Sequence, residues 1–250
     1  MEIAGMVALI TGAGSGIGRA MAMALAREGA RIVVADIDPA GGAETVQLVQ
    51  RAGGDAVFVL TDTTDAAQVQ AVIDLARERF GGLDILCNNA GISEPPLGLF
   101  DDDGWQRTVD INFTAMLLGT RLGVRAMRAA GTGGMIVNTA SMGGLLPMPG
   151  APVYAATKAG VVNFSRSLGY LDAECGIKVA AICPSYTDTP LVRRGGDPKQ
   201  VAAMSERLGG LLTAEEIAAG LVQLVHDGRA GAVMRVTKTR GVDYAREISA

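Results

Sequence analysis

One histidine, one tryptophan and three cysteines are all that 250 residues contain of these types, and the scarcity narrows the chemistry. A serine hydrolase needs a histidine base and a nucleophile elbow. The chain has no Gly-x-Ser-x-Gly, and its lone His226 stands beside Asp227-Gly228 at an expected helix end, where a cation has a plain structural use. Cys87, Cys175 and Cys183 lack metal-ligand spacing, so no metal site is expected. Their odd number, with no secretory leader in MEIAGMVALITG, points to reduced thiols and a cytoplasmic protein. There is no cationic surplus either: the net charge is -4 and the isoelectric point about 5.1, which argues against nucleic acid as a partner. No charged residue occurs between Arg128 and Lys158, but glycines, prolines, Asn138 and Ser141 interrupt that run, so it is read as a buried strand and a loop, not a membrane span.

Apolar residues make up 49% of the chain and mean hydropathy is +0.29, enough for a large core. Short apolar runs alternate with helical patterns along the whole chain. That alternation predicts one α/β domain over 1–250, with a parallel sheet and helices on both faces.

The first run, Met6 to Ile10, leads into Thr11-Gly-Ala-Gly-Ser-Gly-Ile-Gly and then an Ala/Met/Leu-rich helix. Strand, glycine-rich turn and helix are the context in which a backbone approaches a pyrophosphate. A tight structural turn is the plainer reading of the glycines alone. The next run, Ile32 to Asp36, ends in an acid 18 residues after Gly18. A carboxylate there can hold the adenosine ribose hydroxyls and repel a 2′-phosphate, and neither Ser15 nor Ile37 supplies a cation to offset it, so NAD is expected rather than NADP. Read blandly, Asp36 is an ordinary strand-end acid.

Farther on, Tyr154 and Lys158 are four apart and share a helix face, with Ser141 thirteen residues upstream across a Gly/Pro-rich loop. A free phenol, with a pKa of about 10, is a poor base at neutral pH; an ammonium one turn away is expected to lower it. A serine hydroxyl beside them can hold an alcohol or carbonyl oxygen. By itself Y-x-x-x-K is as often an exposed helix pair.

Taken together, the T-G-x-x-x-G-x-G loop, Asn88-Asn-Ala-Gly91, Ser141, Tyr154-x-x-x-Lys158 and Pro184-Ser-Tyr-Thr-Asp-Thr-Pro190 resemble the short-chain dehydrogenase/reductase family, in the family's order and from Val7 to about Val236. The resemblance implies a Rossmann fold with a doubly wound, seven-stranded parallel sheet. The cofactor half would cover about 1–135 and the catalytic and substrate half about 136–250, with a lid at about 190–212. It implies hydride transfer between NAD and a secondary alcohol or ketone.

The resemblance implies Tyr154 as general acid/base, Ser141 on the substrate oxygen, Lys158 beside both, and Asn112 bending its helix and holding a water of the proton path. Cofactor contacts are implied at Gly12, Ser15, Gly16, Ile17, Gly18, Asp36, Ile37, Asp62, Thr63, Asn89, Ala90, Gly91, Tyr154, Lys158, Pro184, Thr187 and Thr189. Asp62 and Thr63 would flank the adenine, although an acid near Asp65 also reads as a helix N-cap. Ser185 replaces the family's glycine, which puts the turn after Pro184 in question. The tail and the segment around Tyr154 look more like the hydroxyprostaglandin dehydrogenase branch than the acyl-carrier-protein reductase branch, but that branch's glutamine three before the tyrosine is Ala151 here.

Met142, Leu145, Leu146, Met148, Pro149, Tyr186, Leu191 and Val192 are expected to line an apolar substrate pocket, with Arg193 and Arg194 in the lid. Two helices carry small, apolar stripes (Ala115, Gly119, Gly123; Ala159, Val162); family members commonly pair through these helices, so the resemblance implies a homodimer or homotetramer. The rival reading is an NAD-binding sensor or scaffold that does not turn over.

Overall fold

Most strands form where short apolar runs are bounded by glycine or a polar turn, and the inner ones are buried on both faces, as parallel strands between two helix layers must be, while the two edge strands are partly exposed. In the computed structural model, which describes residues 1–93, 104–195 and 198–246, they are β1 Val7–Thr11, β2 Arg31–Asp36, β3 Ala56–Leu60, β4 Ile85–Asn88, β5 Gly134–Thr139, β6 Ile177–Pro184, β7 Val233–Thr237 and β8 Gly241–Tyr244. Their order across the sheet is β3-β2-β1-β4-β5-β6-β7-β8. The pairings from β3 to β7 are parallel, while β7 and β8 run antiparallel.

The described helices are α1 Gly16–Arg27, α2 Pro39–Arg51, α3 Ala66–Phe80, α4 Trp105–Val109, α5 Ala115–Ala130, α6 Pro152–Ser167, α7 Leu171–Cys175, α8 Pro190–Gly195, α9 Pro198–Leu208 and α10 Ala214–Asp227. Alternation along β1 shows how the layers close. Ala8 and Ile10 face one core with Met21 and Leu25 of α1 and Ile217, Leu221 and Leu224 of α10. Val7 and Leu9 face the other with Val69, Val72 and Ile73 of α3 and Leu122 of α5. Strand order reverses between β1 and β4, and a crevice opens there at the carboxyl ends, where doubly wound sheets bind ligands. Among the described residues, no helix is long and apolar enough to cross a membrane.

Several expectations need correction. The sheet has eight strands, not seven: Thr237 turns the chain by accepting the Arg240 N–H at 3.2 Å, and β8 returns along β7. The Arg235–Asp243 ion pair ties that hairpin across its strands. The helix carrying Asn112 is described from Trp105 and is interrupted by a π-helical turn, Asp110–Thr114, where the resemblance implies a bend; residues 101–103 lie outside the described set. The helix from Pro152 ends at Ser167 and restarts at Leu171; between them a Cβ on Gly169 would lie 3.3 Å from Gly231 Cα. The segment 190–212, named above as a lid, is largely helical as α8 and α9; its residues 196–197 lie outside the described set.

The small stripe on α5 faces inward. A Cβ on Gly119 would overlap Asn88, and one on Gly123 would sit 2.6 Å from Leu86, so both glycines let α5 approach β4. Val162 is likewise buried, whereas Ala159 is exposed. At α10 a capping box is present: the Thr213 side chain accepts the Glu216 N–H, and the Glu216 carboxylate accepts the Thr213 N–H at 2.7 Å.

Candidate active site

The glycine loop is shaped by close approach. Gly12 has φ +65°, and a Cβ there would lie 2.8 Å from Ala90 Cα. Gly18, already inside α1, would drive a Cβ into the Gly12 carbonyl and to 2.6 Å from Asn89 Nδ2. Below the loop, Thr11 Oγ1 accepts the N–H groups of Asn89 and Ala90 at 3.0 and 3.1 Å, and Asn89 Nδ2 donates to the Thr11 carbonyl at 3.0 Å. The loop is therefore clamped to the end of β4. Ser15, at the N-cap of α1, makes no side-chain capping bond, and Gly16 enters the helix with φ +51°. Backbone donors at a helix start, with no Cβ in the way, fit a dinucleotide pyrophosphate. Ile17 continues that first turn, half-buried against the α1–α10 core.

At the end of β2, Asp36 Oδ2 accepts the Gly14 N–H at 2.6 Å and Oδ1 the Asp38 N–H at 2.9 Å. Ile37 beyond it is 65% exposed. It forms one wall of a cavity of about 440 Å³ with Asp62, Thr64, Arg107, Ile111 and Leu118. A slot of this size beside Asp36 fits a flat heterocycle. Thr64, which the sequence does not single out, lines this cavity; Thr63 lies instead with Thr11, Asn88 and Ala90 around a much smaller one. Asp62 braces the turn by accepting from Thr64 N and Oγ1 at 2.9 and 2.7 Å, and the N-cap of α3 is Asp65, which accepts from Ala67 and Gln68.

The catalytic candidates converge at the ends of β4 and β5. Ser141 follows β5 and its Oγ accepts the Gly143 N–H at 3.0 Å, opening a 3₁₀ turn over Met142–Gly144. It also hydrogen-bonds the Tyr154 phenol. Tyr154 and Lys158 lie one turn apart on α6, with Lys158 Nζ 5.7 Å from the Tyr154 ring centroid. Lys158 is buried and donates to the Thr139 carbonyl at 2.8 Å.

Asn112, in the π-helical turn, holds Ile92 from both sides. Its Oδ1 accepts the Ile92 N–H and its Nδ2 donates to the Ile92 carbonyl, each at 2.8 Å. Gly91 fills the space between: a Cβ there would sit 3.2 Å from Asn112 Oδ1 and 3.6 Å from Lys158 Nζ. Asn112, Gly91, Lys158, Tyr154 and Ser141 thus form one continuous cluster.

Its electrostatics differ from the expectation in one respect. Burial pushes the Tyr154 phenol above its ordinary pKa, and the Ser141 hydrogen bond only partly opposes this. Burial likewise depresses the Lys158 ammonium, to about 8. The lysine stands over the ring and bonds a backbone carbonyl, so desolvation, not its charge, dominates the phenol.

A rigid floor lies beneath the cluster. Asn88 Nδ2 donates to Asn138 Oδ1 at 2.9 Å and to Thr120 Oγ1 at 3.1 Å, and Asn138 Nδ2 donates to Ser165 Oγ at 3.0 Å. These buried groups join β4, β5, α5 and α6. The sequence signal for it was Asn138, a polar residue in the otherwise apolar run of β5.

On the far side, Pro184 ends β6, and Ser185 extends its pairing by donating to the Val236 carbonyl at 2.9 Å. Serine therefore serves at the position in question. Thr187 is buried, turns back on the Ser185 carbonyl at 2.9 Å and bridges to Leu212. The Thr189 side chain lies 3.4 Å from where a Cβ on Gly16 would be, which brings this segment across the glycine loop. Leu146 is 58% exposed and Leu191 40% exposed, while Met142 and Leu145 pack against Val161 and Cys183. Arg193 is held by Asp188 through two 2.7 Å bonds; the Arg194 side chain lies outside the described set.

A dinucleotide cradle on a doubly wound sheet, with serine, tyrosine and buried lysine at its carboxyl edge, defines an α/β oxidoreductase of alcohols and carbonyls. A family model described as short chain dehydrogenase matches residues 6–200. Cis-4-hydroxycyclohexanecarboxylate dehydrogenase of Sinomonas cyclohexanicum is 41% identical over 92% of this chain and 94% of its own. The bovine (Bos taurus) 15-hydroxyprostaglandin dehydrogenase [NAD(+)] is 33% identical over 98% and 95%. The crystal structure of 3-ketoacyl-(acyl-carrier-protein) reductase from Brucella melitensis, complexed with NADH, superposes with a TM-score of 0.85 at 33% identity, covering 95% of this chain and 99% of that one. The chain belongs to the short-chain dehydrogenase family.

Proposed function

We propose that this chain oxidises an apolar, ring-bearing secondary alcohol to its ketone, reversibly, with Tyr154 as the acid/base. It is an NAD-dependent oxidoreductase acting on CH–OH groups. The observation that carries the proposal is the cluster of Ser141, Tyr154 and Lys158 at the crevice beside the glycine loop. Gly12, Ser15, Gly16, Ile17 and Gly18 would hold the pyrophosphate, Asp36 and Ile37 the adenosine ribose, and Asp62 and Thr63 the adenine end. Asn89, Ala90, Gly91, Lys158, Pro184, Thr187 and Thr189 would flank the nicotinamide half. When bound, NAD supplies the hydride acceptor.

The protein's own part is to move a proton and to place an oxygen. Ser141 Oγ and Tyr154 Oη present two hydroxyls to the substrate oxygen, and the phenolate form of Tyr154 takes the alcohol proton. Carbonyl reduction uses the same proton in reverse. Lys158, buried and cationic at neutral pH, steadies negative charge on the phenol oxygen. Asn112 holds Ile92 and thereby fixes the strand end next to Lys158; a water of the proton path would bond its backbone or the hydrogen and lone pair its amide has left.

Met142, Leu145, Leu146, Met148, Leu191 and Val192 favour an apolar substrate, and the cyclohexane ring and prostaglandin named for two relatives support the same class. The half after residue 135 would supply the substrate side, with 190–212 as its lid. Three free thiols fit a cytoplasmic setting, and family resemblance supports a homodimer or homotetramer, which sedimentation analysis distinguishes.

The test is NAD reduction, followed by absorbance, on a panel of cycloalkanols and sterols with Tyr154→Phe as control. Turnover that falls by at least ~10²-fold in the variant, with NAD still bound, is expected. A variant as active as the parent would refute the role of Tyr154. NAD binding without turnover on any alcohol would favour the sensor or scaffold.

A further inference from the structure

Gly14 is held from both sides at the ribose end of the site. Its N–H donates to Asp36 Oδ2 at 2.6 Å, and its carbonyl accepts from Arg19 Nη2. The Arg19 guanidinium is otherwise committed to α2: Nε donates to Thr45 Oγ1 at 3.0 Å, and Nη2 donates to Glu44 Oε2 at 2.6 Å. Thr45 is buried, and its hydroxyl reaches the Ala13 carbonyl at 2.8 Å. Gly41 allows this proximity, since a Cβ there would lie 2.7 Å from the Gly14 carbonyl.

A guanidinium therefore stands directly behind the residue whose N–H meets the ribose-binding acid. A nearby arginine is what accommodates a 2′-phosphate at such a site. Other charged residues stand at this end. Asp38 caps α2 by accepting from Ala40, and Arg107 lies across the Ile37 cavity together with Asp62 and Asp110.

We infer that Glu44 is a specificity-determining residue: by pairing with Arg19 it withholds the guanidinium from a 2′-phosphate, so discrimination against NADP rests on Glu44 as well as on Asp36. The inference rests on the NAD reading of the site. The pair is half-wet, with side-chain exposures of 26% for Arg19 and 60% for Glu44. Such pairs add little to stability, so removing Glu44 leaves the fold standing, while the Thr45 and Gly14 bonds keep Arg19 near the loop. Without Glu44, the Arg19 hydrogen its carboxylate now takes is open to a 2′-phosphate as a charge-assisted partner.

The experiment is calorimetric titration of the purified protein with NAD and NADP, and with 5′-ADP and 2′,5′-ADP as fragments lacking nicotinamide. Parent, Glu44→Ala, Glu44→Gln, Asp36→Asn, Asp36→Asn/Glu44→Ala and Arg19→Ala/Glu44→Ala proteins are compared. The parent is expected to favour NAD. Glu44→Ala should tighten NADP binding itself and lower the NADP-to-NAD Kd ratio at least fivefold, with the same shift in the ADP pair. Asp36→Asn/Glu44→Ala should fall below Asp36→Asn alone, and Arg19→Ala/Glu44→Ala should return to the parent ratio. A purely structural role would weaken both dinucleotides together and leave NADP no tighter, and that result overturns the inference. So does an unchanged ratio in a protein whose parent favours NAD. A parent that favours NADP overturns the NAD reading, and this inference with it.

Discussion

Lys158 should make the protein less stable than it need be at neutral pH, by an amount the structure bounds. Burial without a counter-charge depresses its ammonium from the ordinary 10.5 to about 8. Folding therefore expels a proton between those two values: the unfolded chain binds more protons there, and stability rises with pH across that window. Below about pH 8 the ammonium is charged in both states, and its whole desolvation cost is present. At about 1.4 kcal/mol per tenfold change in proton affinity, the depression corresponds to about 3 kcal/mol. A Lys158→Met substitution recovers this cost at pH 7 and loses the bond to the Thr139 carbonyl, about 1 kcal/mol. The variant should thus be inactive yet more stable by about 2 kcal/mol at pH 7.

Urea unfolding of both proteins at pH 7 and pH 9.5 checks this in a way that cancels the hydrogen bond. The variant's advantage should shrink by about 2 kcal/mol between the two, as the parent's lysine is relieved of its proton in the folded state. An advantage that is the same at both pH values would mean that Lys158 is not desolvated as the packing requires, and the argument would fail.

The remaining predictions concern the cradle and the proton. Burial raises the Tyr154 phenol; oxidation needs the phenolate, so kcat/KM for alcohol should climb from pH 7 into the alkaline range, while reduction, which needs the phenol, should hold at neutral pH. An oxidation profile flat from pH 7 to pH 10 would refute this. Gly18→Ala places a methyl against the Gly12 carbonyl and Asn89, and should abolish NAD binding in a titration while leaving the far-ultraviolet circular dichroism spectrum intact. Thr213→Ala removes the side-chain half of the α10 capping box, the bond from the Glu216 N–H, while the residue-213 N–H can still donate to Glu216; it should cost about 1 kcal/mol in thermal or urea unfolding, with turnover unchanged at 25 °C.

What the sequence made legible follows from where its signals are local. The buried strands β1 and β2 are short apolar runs closed by Thr11 and Asp36, and the α10 cap is a four-residue pattern. The Ser141, Tyr154 and Lys158 set was readable because helix spacing joins two members and one loop joins the third. The rest depends on non-local geometry. Nothing in Asp-Ile-Asn-Phe-Thr distinguishes a π-helical turn from an α-helix, since the extra residue changes the hydrogen-bond step and not the residue types. β8 is four residues long and gains its identity only by pairing with β7. Gly119 and Gly123 read equally well as an outward or an inward stripe until β4 is placed against them. The depressed Lys158 ammonium could not be anticipated, because its partner is the backbone of Thr139, which carries no sequence signature.

Asn138 connects the legible and the hidden parts, and it yields the sharpest separation of stability from catalysis. Its side chain accepts from Asn88 and Thr120, at 2.9 and 3.2 Å, and donates to Ser165, so one residue ties two strands to two helices in the dry core. The next residue, Thr139, gives its carbonyl to Lys158, and Ser141 follows two positions later. Asn138→Leu fills a similar volume but leaves the Asn88 amide, the Thr120 hydroxyl and the Ser165 hydroxyl short of partners. Each keeps another partner, so three lost bonds at about 1 kcal/mol each should lower the unfolding free energy by at least about 2 kcal/mol.

The loosened strand end should also move Thr139 and Ser141 relative to Tyr154, while the glycine loop, clamped independently through Thr11 and Asn89, stays in place. The variant should therefore lose kcat while keeping the parent Kd for NAD. Equal losses in both would show that the floor supports the whole crevice and not the proton-transfer half, because a side chain buried beneath one strand end would then be acting on a loop held by other bonds.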